Sequence, residues 1–300
     1  MGELHKKYLV PPFSTFDTRQ GYWQSRKREW KQIGLQSEVG RDVGLLGDGL
    51  TRLAKKYGQK LTGTSIFDPV LCEVIYNWFG VNDGIVFDPF AGGSVRGVVA
   101  ELLGQHYIGI DLSQRQVDAN QMNADKLNVC PVWHCDDSRN TDKYIQDGTI
   151  DLVFSCPPYH NLEKYSDSPL DLSNMNYTDF LAAYQEIIEI ACRKLKDNRF
   201  AVFVVGDVRD KQGAYKDFIS DTKRIFKNAG LCLYNEMILL EQYGTAPMRA
   251  GRQFEAKRKV VKVHQNILVF YKGNIKEIKA VQTDNIKWAD LTQCAEGEAS

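Results

Sequence analysis

The stretch with the clearest chemical content is Asp151-Leu-Val-Phe-Ser155-Cys156-Pro157-Pro158-Tyr159. Apolar residues run to Phe154, then a hydroxyl, a thiol and two prolines stop the run. This pattern predicts a buried strand that delivers a rigid turn to the carboxyl edge of a sheet, where open α/β folds place their chemistry. Prolines fix φ and carry no N–H, so the carbonyls beside them stay available as acceptors. Tyr159 adds a flat aromatic face. Acceptors beside one ring suit a planar heterocycle held by its exocyclic amine.

Further carboxylates fall at predicted strand ends: Asp88 after Gly84-Ile-Val-Phe, Asp111 after Tyr107-Ile-Gly-Ile, and Asp136 with Asp137 after Cys130–His134. The first of these strands runs into Pro89-Phe90-Ala91-Gly92-Gly93-Ser94. Glycines there let a ligand touch the backbone, and a helix amino terminus faces it. The loop lacks the lysine of Gly-x-x-x-x-Gly-Lys and the spacing of Gly-x-Gly-x-x-Gly, which argues against a nucleotide-phosphate cradle. An acidic loop suits a cationic ligand, and a carboxylate ending the second strand suits the two hydroxyls of a ribose. Aspartates at strand ends also cap helices, but three in register with Gly92-Gly93 favour a cofactor crevice. Cys130, His134 and Cys135 alternate along a strand without a second ligand pair, so no metal site is expected.

The elements that must position these residues read as alternating strands and helices. A polar turn at Thr64-Ser65-Ile66-Phe67-Asp68-Pro69 leads into a helix over Val70–Phe79, with Ser65 or Asp68 as cap and Pro69 at its first position. Helices follow over Val95–Leu103, from Ser113-Gln-Arg-Gln116 to about Leu127, over Tyr177–Leu195 and over 215–229. Phe200–Val205, Leu231–Leu240 and Val260–Tyr271 read as further strands. The alternation argues for an α/β, doubly wound, parallel sheet. The polar stretch from His160 to Asn176 reads as a mobile loop, and the tail beyond Gly273 as weakly patterned and frayed. The expected division is an extension over 1–60 packed on the core, a main domain over 61–275 with an insertion at 241–262, and a tail over 276–300.

Composition narrows the class. The chain has 300 residues, 43% of them hydrophobic and 25% charged, an ordinary globular balance. Lys+Arg and Asp+Glu are each 38, so any polyanion-binding surface must be local. Seven scattered cysteines and no signal peptide or membrane-length apolar run lead us to expect a reduced, cytoplasmic protein without a membrane partner.

Asp88-Pro-Phe-Ala-Gly-Gly-Ser94 resembles the first motif of the S-adenosylmethionine-dependent amino methyltransferases of DNA, and Ser155-Cys-Pro-Pro-Tyr159 resembles their catalytic fourth motif. The resemblance covers residues 64–205, in an order similar to the gamma arrangement. It implies a Rossmann-like class I methyltransferase sheet of seven strands with the last reversed. It also implies that Asp88, Ala91, Gly92 and Gly93 line the methionine moiety, that Asp111 holds the ribose, and that Asp136 or Asp137 sits by the adenine. Phe67-Asp68-Pro69 resembles the family's amino-terminal cofactor-closing motif. The whole chain is similar to phage-borne and prophage-borne DNA modification methylases, at Arg19-Gln-Gly-Tyr-Trp23, Leu162-Glu-Lys-Tyr-Ser-Asp167, Gly244-Thr-Ala-Pro-Met-Arg249 and His264-Gln-Asn-Ile-Leu-Val-Phe270.

The implied activity is direct methyl transfer to an exocyclic amine, adenine N6 or cytosine N4, of a flipped-out DNA base, with Ser155, Cys156, Pro157, Pro158 and Tyr159 as the catalytic set. Such an amine is a poor nucleophile, and acceptors that hold its hydrogens let the nitrogen pyramidalise. In the family the residue before the prolines is Asp, Asn or Ser; here it is Cys156, and a thiol is a weak acceptor. Several readings stay open: a small residue suffices, the thiol tunes the target ring, activity is lost, or the thiol attacks covalently. An RNA base, a protein glutamine, or a non-catalytic nucleic-acid-binding module stay open as alternatives.

Two basic segments could meet nucleic acid. Residues 249–262 hold Arg249, Arg252, Lys257, Arg258, Lys259 and Lys262 against Glu255 alone, with Tyr243 and Met248 beside them. A loop here would contact the phosphates of DNA, expected to be double-stranded; a solvated hairpin tip is the bland alternative. The other segment interleaves Arg26, Lys27, Arg28 and Lys31 with Trp23 and Trp30, which suits either base stacking or a helix folded onto the core. His264 borders the base pocket or sits satisfied in the core. No metal is required, and a homodimer is among the allowed states.

Overall fold

The computed structural model describes residues 2–35, 67–158 and 170–292. Tyr159, the Thr64–Ile66 turn, the Leu162–Asp167 motif, Cys294 and the last residues of the tail lie outside the described residues.

Eight strands form one sheet among the described residues. In chain order they are β1 (Thr15–Asp17), β2 (Ile85–Asp88), β3 (His106–Asp111), β4 (Val132–Cys135), β5 (Ile150–Ser155), β6 (Leu195–Val205), β7 (Cys232–Leu240) and β8 (His264–Lys272). Their spatial order is β1-β7-β8-β6-β5-β2-β3-β4. Only β8 runs antiparallel to its neighbours, β6 and β7. Strands β2 to β8 thus make the doubly wound sheet with a reversed last strand, and β1 adds an unforeseen parallel edge beside β7, with Phe16 level with Leu239.

Helices cover both faces. On one side lie α2 (Gly21–Gln32), α3 (Pro69–Phe79), α4 (Val95–Leu102) and α5 (Gln114–Lys126), after a short α1 (Glu3–Tyr8). Their Trp23, Trp30, Val74 and Val98 pack with Leu152, Phe154 and Ile267 of the sheet. On the other side, Phe180 and Ile188 of α6 (Tyr177–Lys194) and Phe226 of α7 (Phe218–Asn228) pack with Val153, Phe203 and Leu268. Asp68 caps α3 by accepting from the Val70 N–H at 3.0 Å, and Ser113 caps α5 from Gln116 N–H at 3.3 Å. All six residues of β5 are buried, as a central parallel strand requires.

One open choice is resolved and two expectations change. Trp23 and Trp30 are fully buried, and Arg26 beside them is paired with Glu73, so α2 is a core helix and offers no stacking surface. The tail is docked through Leu291: the Ala289 N–H reaches Glu73 at 2.9 Å, while its carbonyl accepts from Arg26 at 2.7 Å. Glu73 thereby ties α2 and the segment around Ala289 to α3. Finally, the segment between β7 and β8 is helical, α8 (Ala246–Lys257), because Pro247 starts a turn followed by good helix formers, and Arg258 ends it at φ 51°.

Candidate active site

Because seven strands run parallel, their carboxyl ends share one edge, and that edge collects the candidate residues. Asp88 ends β2 with no exposed surface. Its carboxylate accepts from the Phe90 N–H at 3.1 Å, the Ser155 hydroxyl at 2.5 Å, the Tyr107 hydroxyl at 2.8 Å and the Arg96 guanidinium. Arg96, on α4, also donates to the carbonyls of Phe90 at 2.7 Å and Ala91 at 2.8 Å. The loop after β2 is therefore wound around a guanidinium. Burial by itself would lower the Arg96 pKa; the Asp88 carboxylate outweighs that and raises it. Burial, with Asp88 beside it, pushes the Tyr107 phenol well above its ordinary value. The Asp88 carboxylate thus faces inward, held by four donors around the loop.

The backbone beyond Asp88 does reach the crevice. Ala91 is buried, and its N–H donates to the Ile110 carbonyl at 3.0 Å. Gly109 permits that approach, since a Cβ there would lie 2.8 Å from the Ala91 Cβ. Gly92 turns at φ 54°, a conformation glycine adopts without strain, and its N–H donates to Asp111 at 2.9 Å. Asn120 of α5 holds the Gly92 carbonyl at 2.7 Å. Gly92, Gly93 and Asp111 remain half-buried, at the switch point where the chain leaves β2 for β3 on one side and β5 on the other.

Asp136 and Asp137 follow one strand further. The Asp136 carboxylate accepts from the Asp137 N–H at 2.7 Å, Asn140 at 2.7 Å, Lys143 at 3.0 Å and the Tyr144 hydroxyl at 2.8 Å. The Asn140 amide above all, with Lys143 and Tyr144, holds its pKa well below the carboxylate range. Asp137 caps the turn Ser138–Lys143 and pairs with Arg139 at 2.6 Å. Both side chains thus shape the turn that follows β4. His134 stacks on Tyr144 at 4.0 Å, and Cys135 is exposed; no metal-binding group occurs among the described residues.

At the turn that ends β5, Ser155 is fully buried and its hydroxyl donates to Asp88. Cys156 is half-buried and within electrostatic reach of Arg96 and Tyr184. Pro157 is buried and Pro158 half-buried. Phe67 approaches from the other side: the Arg96 guanidinium lies 4.5 Å from its ring centre, and its edge meets Phe154. Besides capping α3, Asp68 pairs with Lys27 of α2 at 2.8 Å. The sequence reading brings Asp88, Gly92, Asp111, Ser155 and Phe67 to one place and misses Arg96, Tyr107 and Asn120. A lone basic residue in the apolar run Val95–Leu102 marks Arg96, and buried polar residues at helical spacing, Gln116, Asn120 and Asn123, mark the inward stripe of α5.

Next along the edge, Glu241 accepts from Gln265 at 2.7 Å, with its pKa raised by burial. Burial also lowers the pKa values of Lys262 and His264, the latter helped by Lys262. The four basic candidates lie on α8 and its end: Arg252 and Arg258 are exposed, while Arg249 and Lys259 are half-buried. The Arg249 Nε is buried without a hydrogen-bond partner.

Strand order, the reversed β8 and a glycine loop after β2 together define a Rossmann-like methyltransferase fold. No protein-family model matches the chain. A type II methyltransferase, M.HinfI of Haemophilus influenzae, is 37% identical over 70 residues, 23% of this chain and 19% of that protein. TrmN from Thermus thermophilus superposes with a TM-score of 0.49 at 11% identity, over 82% of this chain and 53% of its own. A candidate DNA modification methylase from Thermus thermophilus, complexed with S-adenosyl-L-methionine, gives a TM-score of 0.34 at 18% identity, over 46% of this chain and 51% of its own. The chain thus spans about half, or less, of each of these proteins.

Proposed function

We propose that the protein is an S-adenosylmethionine-dependent methyltransferase acting on an exocyclic amino group of a DNA base, adenine N6 or cytosine N4. The observation that carries this reading is the junction of two loops: the turn Cys156-Pro157-Pro158 and the loop Pro89–Gly93 leave adjacent strands, locked together through Ser155 and Asp88. One places acceptors for an amine, and the other opens backbone at a switch point.

The donor set fits the cofactor. Half-buried Asp111 beside Gly92 suits the ribose hydroxyls, the Asp136–Asp137 turn suits the adenine side, and the Gly92-Gly93 backbone suits the methionine portion. When bound, S-adenosylmethionine supplies an electrophilic methyl group on a sulfonium. The protein's own residues orient the acceptor. The Pro157 carbonyl holds an amine hydrogen, freeing the nitrogen lone pair, and the resemblance gives Tyr159 the role of stacking on the extruded ring. Cys156 fills the neighbouring position as a small side chain. Phe67 closes over Arg96 and limits water at the loop.

Incubation with methyl-labelled cofactor and separate DNA, RNA and protein pools tests the reading. Label in amino-methylated bases of DNA is expected. Label in RNA or in protein glutamine would overturn the substrate, and cofactor binding without transfer to any pool would make the chain a binding module.

A further inference from the structure

The segment from Glu241 to Val263 stands out from the sheet as an arm. Its base is closed by the Glu241 N–H on the Val263 carbonyl at 3.1 Å. Its root is braced from β1, the edge strand next to β7: Asp17 holds Arg19, and Arg19 donates to the Tyr243 hydroxyl with its guanidinium 4.9 Å from that ring. Above this root, α8 buries only Ala246. Pro247, Ala250, Gly251 and Phe254, spaced as one helical stripe, face the extended segment 259–263 across an open groove of about 460 Å³. Phe254 at 55% and Val260 at 63% exposure form its lips. Large apolar side chains so exposed on a braced arm mark a contact surface.

Charge decides what contacts it. Around this apolar groove stand Arg252, Lys257, Arg258 and Lys259, with Glu255 the one acid from 249 to 262, in a chain of zero net charge. A polyanion with an apolar interior fits this combination, and duplex DNA with an opened base step supplies it. The position agrees. The arm leaves β7 and returns to β8, and β8 lies two strands from β5, about 10 Å at ordinary strand spacing. An arm rooted there stands beside any base brought to the Cys156–Pro158 turn.

Resting on the function proposed above, we infer that the arm grips duplex DNA next to the target nucleotide, with Phe254 inserted into the base stack and Arg252 and Arg258 on the flanking phosphates. The wedge fills the step that the extruded base leaves.

The test uses a fluorescent mixed-sequence DNA duplex and the same duplex with one central abasic site, titrated with the full chain at fixed salt. The wild type is expected to prefer the abasic duplex by about tenfold, the scale of one aromatic–base stack. Phe254→Ala, at an exposed helical position, should lose that preference, while Arg252→Ala should weaken both duplexes equally and flatten the salt dependence. A preference that survives Phe254→Ala, or is missing in the wild type, overturns the wedge. Failure to bind either duplex overturns the arm as a DNA surface. Methyl transfer to DNA by the same wild-type preparation then leaves the proposed function standing, and its absence removes both.

Discussion

The Ser155 hydroxyl donates to the Asp88 carboxylate at 2.5 Å, joining the strand that leads into the Cys156–Pro158 turn to the strand that leads into the Pro89–Gly93 loop. The two strands are neighbours, with Phe87 level with Val153, so the bond spans the last rung of the sheet before the loops diverge. Both residues have zero exposure. Ser155→Ala should therefore destabilise the fold by about 1–3 kcal/mol, the cost of a buried acceptor losing a donor. It should also weaken cofactor binding, because Asp88 shapes the loop that takes it. Urea unfolding and titration calorimetry read the two effects; an unchanged unfolding midpoint would contradict the coupling.

Arg96 balances the same carboxylate from within the loop. Arg96→Met leaves Asp88 buried without its cation and should cost about 3–5 kcal/mol. Adding Asp88→Asn removes the uncompensated charge and should recover part of that loss, which a double-mutant cycle by denaturant unfolding would reveal. Strictly additive losses would mean that the two residues do not act as a pair.

Asp136 gives a pH signature. Its folded pKa lies below the ordinary 3.8, chiefly through the Asn140 amide. A depressed carboxylate contributes stability that is present above its unfolded pKa and lost as pH falls through the folded value. The wild type should therefore exceed Asp136→Asn in melting temperature above about pH 4, and the gap should close in stronger acid. A gap that is constant down to acid unfolding would refute this role.

Cys156 separates backbone from side-chain catalysis. If the Pro157 carbonyl supplies the main acceptor, Cys156→Ser should keep methyl transfer within about tenfold of the wild type, the scale of one neutral hydrogen bond. Loss of transfer in Cys156→Ser, with cofactor still bound, would show that the thiol itself is required.

Much of this architecture is legible in the sequence. Hydrophobic runs ending in Asp88, Asp111 and Ser155 mark the parallel strands, and Asp68-Pro69 marks the start of α3, because local periodicity and capping govern those choices. What escaped is long-range pairing. Nothing local says that Asp88 spends its carboxylate on Arg96, Tyr107 and Ser155, or that Glu73 draws in Arg26 and the Ala289 backbone. The same holds for β1, three residues whose strand identity comes from β7 more than 200 positions later. α8 was missed for the opposite reason: its basic residues suggested a phosphate-binding loop, yet lysine, arginine, alanine and glutamate also favour helix.

The central claim is methyl transfer to an exocyclic amine of DNA. Its most direct test is nucleoside mass spectrometry of DNA from a bacterial host that lacks adenine and cytosine amino methylation and expresses this chain. The account predicts N6-methyladenine or N4-methylcytosine in that DNA, and none with Asp111→Ala. DNA without either base, from cells that hold folded protein, would contradict it.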